Sequence, residues 1–191
     1  MAVRKRKGRT FGMMDCGRIP PVRPIHPENT IVHAVHAFVH EYDGGGRRGI
    51  EMCIRDRYHR GAQKFVADLN TLYKNSPAFW QTDYDYAGFS WIDCNDRENS
   101  VLSFLRQTAD GKNQTVVILN LTPVPRPNYR VGLPRGGKWK ESLNSDAHIY
   151  GGSNHGNFGG VTAQDQPCHG HQHSAEFNLP PLSVVVFQSE S

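Results

Sequence analysis

Cysteine is scarce and scattered: Cys16, Cys53, Cys94 and Cys168 form no C-x-x-C pair, which excludes a zinc knuckle and a disulfide framework. Long apolar runs are missing too, and none approaches the roughly eighteen residues of a membrane span. The basic start MAVRKRKGRT runs into Phe11-Gly12-Met13-Met14-Asp15 instead of an apolar h-region, so a secretory signal is not expected. A reduced cytoplasmic compartment is the resulting expectation, and the N-x-T triplets at Asn113 and Asn120 are read as accidental. At 191 residues the chain is too short for a (βα)8 catalytic barrel, which takes about 250. Its 37% hydrophobic content suits one modest core and an appendage.

The net charge of +4 is unevenly distributed. Residues 1–57 hold eleven Lys/Arg against six Asp/Glu, and the remainder holds eleven against twelve. The basic character therefore belongs to the first third, and RKRKGR reads as a solvated tail before it reads as a nucleic-acid arm. Prolines 20, 21, 24 and 27 break any regular element there. In TIVHAVHAFVHEY, His33, His36 and His40 share one helical face, but no carboxylate or cysteine lies at a fitting distance and the outer pair is about 10 Å apart along the axis, so no metal is assigned. After a glycine-rich stretch, Glu51-Met52-Cys53-Ile54-Arg55-Asp56-Arg57 looks like translated sequencing-adapter read-through. Residues 1–57 are thus expected to be a poorly structured or artefactual segment.

From His59 the pattern becomes regular. In KFVADLNTLYKNSPAF, Ala62, Phe65, Val66, Leu69, Leu72 and Tyr73 follow the i, i+3, i+4, i+7 rule, while Lys64, Asp68, Thr71 and Lys74 face away. The spacing predicts a helix opened by Gly61 and closed at Asn75-Ser76-Pro77, since a residue before proline is pushed out of the helical region. Residues 58–82 form this helix and a linker; residues 83–191 read as short strands. Strands are expected at 89–94, 100–107, 115–121, 128–133, 138–143, 175–179 and 182–188. Asp110-Gly111 supplies a hairpin turn. TVVILNL suits a central strand buried on both faces. Pro123, Pro125 and Pro127 make an extended corner, and 151–160 reads as a long irregular loop. The fold class is mainly β: an antiparallel β-sandwich preceded by one α-helix.

These residues carry a resemblance. Tyr58-His59-Arg60-Gly61-Ala62-Gln63-Lys64-Phe65 through Tyr73 resembles the last barrel helix of bacterial 1,4-α-glucan branching enzymes. Gly88-Phe89-Ser90-Trp91-Ile92-Asp93, Glu98 through Arg106, and Asn120-Leu121-Thr122-Pro123-Val124-Pro125-Arg126 continue it into their C-terminal β domain. So do Gly137-Lys138-Trp139, Leu143-Asn144-Ser145-Asp146, Tyr150-Gly151-Gly152-Ser153, His169-Gly170 and Leu179-Pro180-Pro181-Leu182. The likeness covers roughly residues 58–191, and residues 1–57 match nothing in that family.

The resemblance implies a parent that cuts α-1,4-glucan and rejoins it through α-1,6 bonds, with retention of configuration. That chemistry needs two carboxyl groups about 5 to 5.5 Å apart, and no acid here aligns with the family's pair. No catalytic, cofactor or metal residue is therefore assigned, and the chain alone is expected to be inactive. The implied partners are the α-glucan itself and a catalytic barrel, with neither nucleic acid nor membrane. Trp80, Trp91, Trp139, Tyr129 and Tyr150 offer stacking faces for glucose rings, although a tryptophan in a small sandwich is more often core. Trp139, Tyr129 and Tyr150 stand as the candidate glucan contacts. His169, His171 and His173 are not read as a metal site. A stand-alone carbohydrate-binding module and a nucleic-acid binder working through RKRKGR are the rival readings.

Overall fold

The computed structural model describes residues 57–190. The basic start, the His33/His36/His40 face and the adapter-like string up to Asp56 lie outside the described residues, while Arg57 opens the helix. The elements are helix α1 (Arg57–Asn75) and strands β1 (Phe89–Asp96), β2 (Val101–Gln107), β3 (Gln114–Asn120), β4 (Arg126–Leu133), β5 (Gly137–Asn144), β6 (Gly160–Ala163), β7 (His173–Leu179) and β8 (Ser183–Ser189). The strands make two antiparallel sheets, one of six in the order β1-β2-β3-β8-β5-β6 and one of two, β4-β7.

The two sheets close over a core drawn from both inner faces. Val101, Leu105, Val116, Ile118, Trp139, Val185 and Phe187 come from the large sheet, and Val131, Leu133, Ala175, Phe177 and Leu179 from the small one. Phe177 meets Phe187 edge to face across the gap, with ring centroids 4.7 Å apart, the arrangement favoured by aromatic quadrupoles. β3 is buried on both sides: Val116 and Ile118 face the other sheet, while Val117 faces outward into a second cluster with Phe79, Leu143 and Val186. Phe65, Leu69 and Leu72 of α1 cap that second cluster.

The helical stripe is covered on only one side. Val66 and Tyr73 remain 36% and 37% exposed, and Ala62 is exposed as well. Gly61 does not open the helix but lies within it, buried, where an added Cβ would stand 2.0 Å from the Tyr150 carbonyl oxygen. The need is for close approach and not for a turn. Ser76, in extended backbone before Pro77, ends the helix as expected.

Residues 134–136 carry the chain from β4 in the small sheet to β5 in the large one. One strand was not expected. Residues 160–163, of which Gly160 was read as the end of a loop and the rest were left unassigned, form β6 on the edge of β5. Gly160 hides the strand signal, yet a side chain there would meet the Trp139 carbonyl oxygen at 2.5 Å. Pro127 sits at the register shift between Arg126 and Tyr129, where a missing N–H does no harm to the ladder. Asn120 is 1% exposed; its amide donates to the Val124 and Pro180 carbonyls and its oxygen accepts from Thr122. That sequon asparagine holds the proline corner together.

Candidate functional site

The outer face of the large sheet is half covered. α1 lies over β3, β8 and β5, leaving the β1–β2 margin to carry exposed aromatic rings. Phe89 and Trp91 are two residues apart on β1, so both project from one face, and Trp91 pairs with Phe104 of β2. The three rings form one cluster: Phe89–Trp91 at 5.2 Å and 86°, Phe89–Phe104 at 5.4 Å, and Trp91–Phe104 at 6.0 Å and 83°. Trp91 is 52% exposed and Phe89 36%. Ile92, next along the strand, points inward by simple alternation, and a register shift follows between Trp91 and Asp93.

Beneath this margin the linker from α1 is pinned hard. Arg106, 6% exposed, donates from its guanidinium to the Phe79 carbonyl at 2.8 Å and to Asp83 at 2.6 Å. Thr82 donates its hydroxyl to the Gln107 carbonyl, and the Gln107 amide donates to the Ala87 carbonyl. Gly88 lies so close to Thr82 that a Cβ would stand 2.3 Å from its carbonyl oxygen. A buried, fully hydrogen-bonded ion pair is costly to break one partner at a time, so the backbone leading into Phe89 is held in one place. Trp80 and Tyr86, exposed at 46% and 99%, stand on this pinned linker.

The candidates from sequence fare differently. Trp139 is an inward residue of β5, 1% exposed, with its indole N–H donating to the Arg135 carbonyl. Neither of its faces is open to stacking. Tyr129 is half-buried, and its hydroxyl donates to Asp96 at 2.6 Å; burial first, then that bond, raises its pKa well above the usual phenol value. Tyr150 packs edge-on against Phe65 and donates to Asp68 at 2.7 Å, and burial with that bond raises its pKa likewise. Both hydroxyls are engaged within the protein. Phe89 and Phe104 escaped sequence reasoning, although their i, i+2 relation to Trp91 and the strand pairing supplied the signal.

The carboxylates serve as structural acceptors. Asp68 is pulled below the ordinary carboxyl range by the Tyr150 hydroxyl and by Lys64, and Asp110 by the Thr108 hydroxyl and the Lys112 amide. At Asp96 burial pushes upward, but bonds from Tyr129 and Asn99 and the charge of Arg126 outweigh it and the pKa is lowered. A general acid at neutral pH needs the opposite displacement. The histidines point to different partners: His169 Nδ1 accepts from the Gly132 amide at 3.4 Å, His173 Nδ1 meets Asp165 at 2.9 Å, and His171 is shifted down by burial and by His169. His169 and Gly170 both have positive φ between the paired Cys168 and His171, so this stretch is a tight primed turn.

Comparison with known proteins places this arrangement. The alpha amylase, C-terminal all-beta domain family matches residues 91–190. The 1,4-alpha-glucan branching enzyme GlgB of Aromatoleum aromaticum is 52% identical over 142 residues, which is 74% of this chain and 22% of the relative. The branching enzymes of Prochlorococcus marinus (strain MIT 9303) and Synechococcus sp. (strain CC9902) are 48% and 50% identical over 132 residues, covering 69% of this chain and 18% and 17% of theirs. The chain thus spans about a fifth of the length of the curated relatives it matches. With a family match over more than half of its residues, on a two-sheet β fold preceded by one helix, the chain belongs to the alpha-amylase C-terminal all-beta domain family.

Proposed function

We propose that this chain is the C-terminal β domain, with the last barrel helix, of a 1,4-α-glucan branching enzyme, and that its own contribution is to hold glucan and support the barrel. Identity near one half to branching enzymes supports the parent activity, which transfers α-1,4-glucan segments into α-1,6 branches. The observation that carries the chain's own role is the Phe89–Trp91–Phe104 cluster. Phe104 packs against the second core cluster, while Phe89 and Trp91 beside it are 36% and 52% exposed, and their open faces suit the C–H surface of a glucose ring. The partly exposed side of α1, with Val66 and Tyr73, is the surface offered to a barrel.

Chemistry is not part of that contribution. The displaced carboxyls all go down in pKa and accept structural hydrogen bonds, so none is arranged as the acid of a retaining pair. In a gel containing glycogen the chain is expected to be retarded, and Trp91→Ala to be retarded clearly less. An iodine-stain assay on amylose is expected to show no branching. Unchanged retardation of the Trp91→Ala protein would move the contact elsewhere, and new α-1,6 bonds would overturn the assignment of chemistry to other residues.

A further inference from the structure

The hairpin between β2 and β3 carries a chemistry that neither the core nor the aromatic margin uses. Asp110 is followed by Gly111, and among the described residues it is the one aspartate with a glycine after it. In an Asp-Gly pair the glycine amide nitrogen can attack the aspartate Cγ: the amide loses its proton, a carboxyl oxygen leaves as water, and a succinimide ring closes. Water then reopens the ring at either carbonyl. Attack at Cγ restores aspartate, and attack at the main-chain carbon gives isoaspartate, with one extra methylene in the backbone. The cycle releases one water and takes one up, so it needs no other reactant. Glycine favours the closure because it has no Cβ to obstruct it.

The fold exposes this pair but occupies its reacting groups. The Asp110 side chain is 54% exposed, and a Cβ built on Gly111 would meet nothing within 4 Å, so no neighbouring element shields the tip. Gly111 has φ at +66°, the left-handed conformation that a tight turn asks of glycine. Its amide, the nucleophile, donates to the Thr108 carbonyl at 2.9 Å. The Asp110 carboxylate, the electrophile, accepts at one oxygen from the Thr108 hydroxyl at 2.5 Å and from the Lys112 amide at 3.1 Å. The hydroxyl first, and then that amide, hold its pKa below the ordinary carboxyl value. A carboxylate kept ionised reacts poorly, since its oxygen must gain protons before it can leave. Thr108 itself is 2% exposed, and its hydroxyl also accepts from the Asn113 amide at 3.2 Å, which fixes it at the neck of the hairpin.

We propose that Asp110 is an isoaspartate-forming modification site, closed while the bonds among Thr108, Asp110 and Gly111 hold and opened when the turn loses them. Its place in the sheet gives the modification a reach beyond the tip. The turn sets the pairing of Gln107 with Gln114 and of Arg106 with Thr115, and the register of a hairpin is fixed by its loop. Arg106 in turn holds the Phe79 carbonyl and Asp83. A methylene added at residue 110 therefore strains the strand that pins the linker from α1.

The test ages the full chain in warm neutral buffer, folded or in urea. Isoaspartate at residue 110 is counted by peptide separation with fragment mass spectrometry, and by methyl transfer from S-adenosylmethionine through an isoaspartyl methyltransferase. It is expected in both states and about tenfold slower in the folded chain, with Asp43-Gly44 in urea reporting the rate of an unrestrained pair. Thr108→Val keeps the side-chain shape without the hydroxyl and should raise the folded rate about three- to tenfold, while Thr108→Ser should stay near the parent. Absence of isoaspartate at 110 in urea while it forms at 43 would overturn the site. Equal rates in the folded and unfolded chain would overturn the restraint, and an unchanged rate in folded Thr108→Val would overturn the part given to the hydroxyl. Should Thr108→Val fail to fold, the folded-to-urea ratio of the parent decides alone.

Discussion

Trp139 and Trp91 are strand tryptophans of one sheet, and their fates are opposite. Trp139 faces the small sheet and is 1% exposed; Trp91 faces outward beyond the reach of α1 and is 52% exposed. The same contrast holds for ring pairs: Phe177–Phe187 is wholly buried between the sheets, whereas Phe89–Trp91 is half open. Residue type and strand periodicity are alike in the two regions. What differs is the layer placed above them, two strands over the inner face and a helix over only part of the outer. Aromatic rings on the inner face thus stabilise the fold, while those on the bare margin are free to meet something else.

The comparison can be broken most sharply on the inner face. Phe177→Ala should cost about 3 to 5 kcal/mol, because a fully enclosed ring leaves a cavity; urea unfolding would measure it, and a loss under 1 kcal/mol would mean the sheets are less closely packed than described. Asp83→Asn should cost about 3 kcal/mol by leaving the Arg106 guanidinium buried with only carbonyl partners. Gly61→Ala sets two effects against each other. Helix propensity favours alanine by about 1 kcal/mol, but its Cβ would collide with rigid backbone at Tyr150, so a net loss of about 1 to 3 kcal/mol is expected. A stabilised variant would show that the 145–159 loop yields easily.

Acid should loosen the β1–β4 join. Asp96 has a folded pKa below its ordinary 3.8, so its contribution is present above that value and is lost as pH falls through the lower folded one. Asp96→Asn should therefore flatten the fall of unfolding midpoints as the pH drops below 3.8. The smallest effect on stability belongs to Trp91→Ala, expected within about 1 kcal/mol of the parent. That is the reverse of its expected effect on glycogen retention.

Much of the fold was legible because its signals are local. The double-sided burial of β3 follows from the β-branched run 115–118, and the stop of α1 from Ser76-Pro77. β6 was not legible, since a four-residue edge strand beginning with glycine has its ladder partner in β5, twenty or more residues earlier. Gly61 was misplaced for a similar reason: the atom that demands a glycine there belongs to Tyr150, 89 positions away. Among site residues the sequence offered Trp91 and Trp139 both as stacking faces but kept only Trp139 as a candidate glucan contact, because strand alternation fixes which residues share a face but not which face is covered. Tyr129 and Tyr150 looked available until Asp96 and Asp68 were found accepting their hydroxyls.

The contrast between the two tryptophans also supplies the most direct measurement. In a Trp80→Phe background, acrylamide quenching should resolve an accessible indole, Trp91, from a protected one, Trp139. Maltoheptaose is expected to protect the accessible fraction saturably and to leave the protected fraction unchanged, with the whole sugar effect absent from Trp91→Ala. Equal quenching with and without sugar would contradict a glucan role for the outer face.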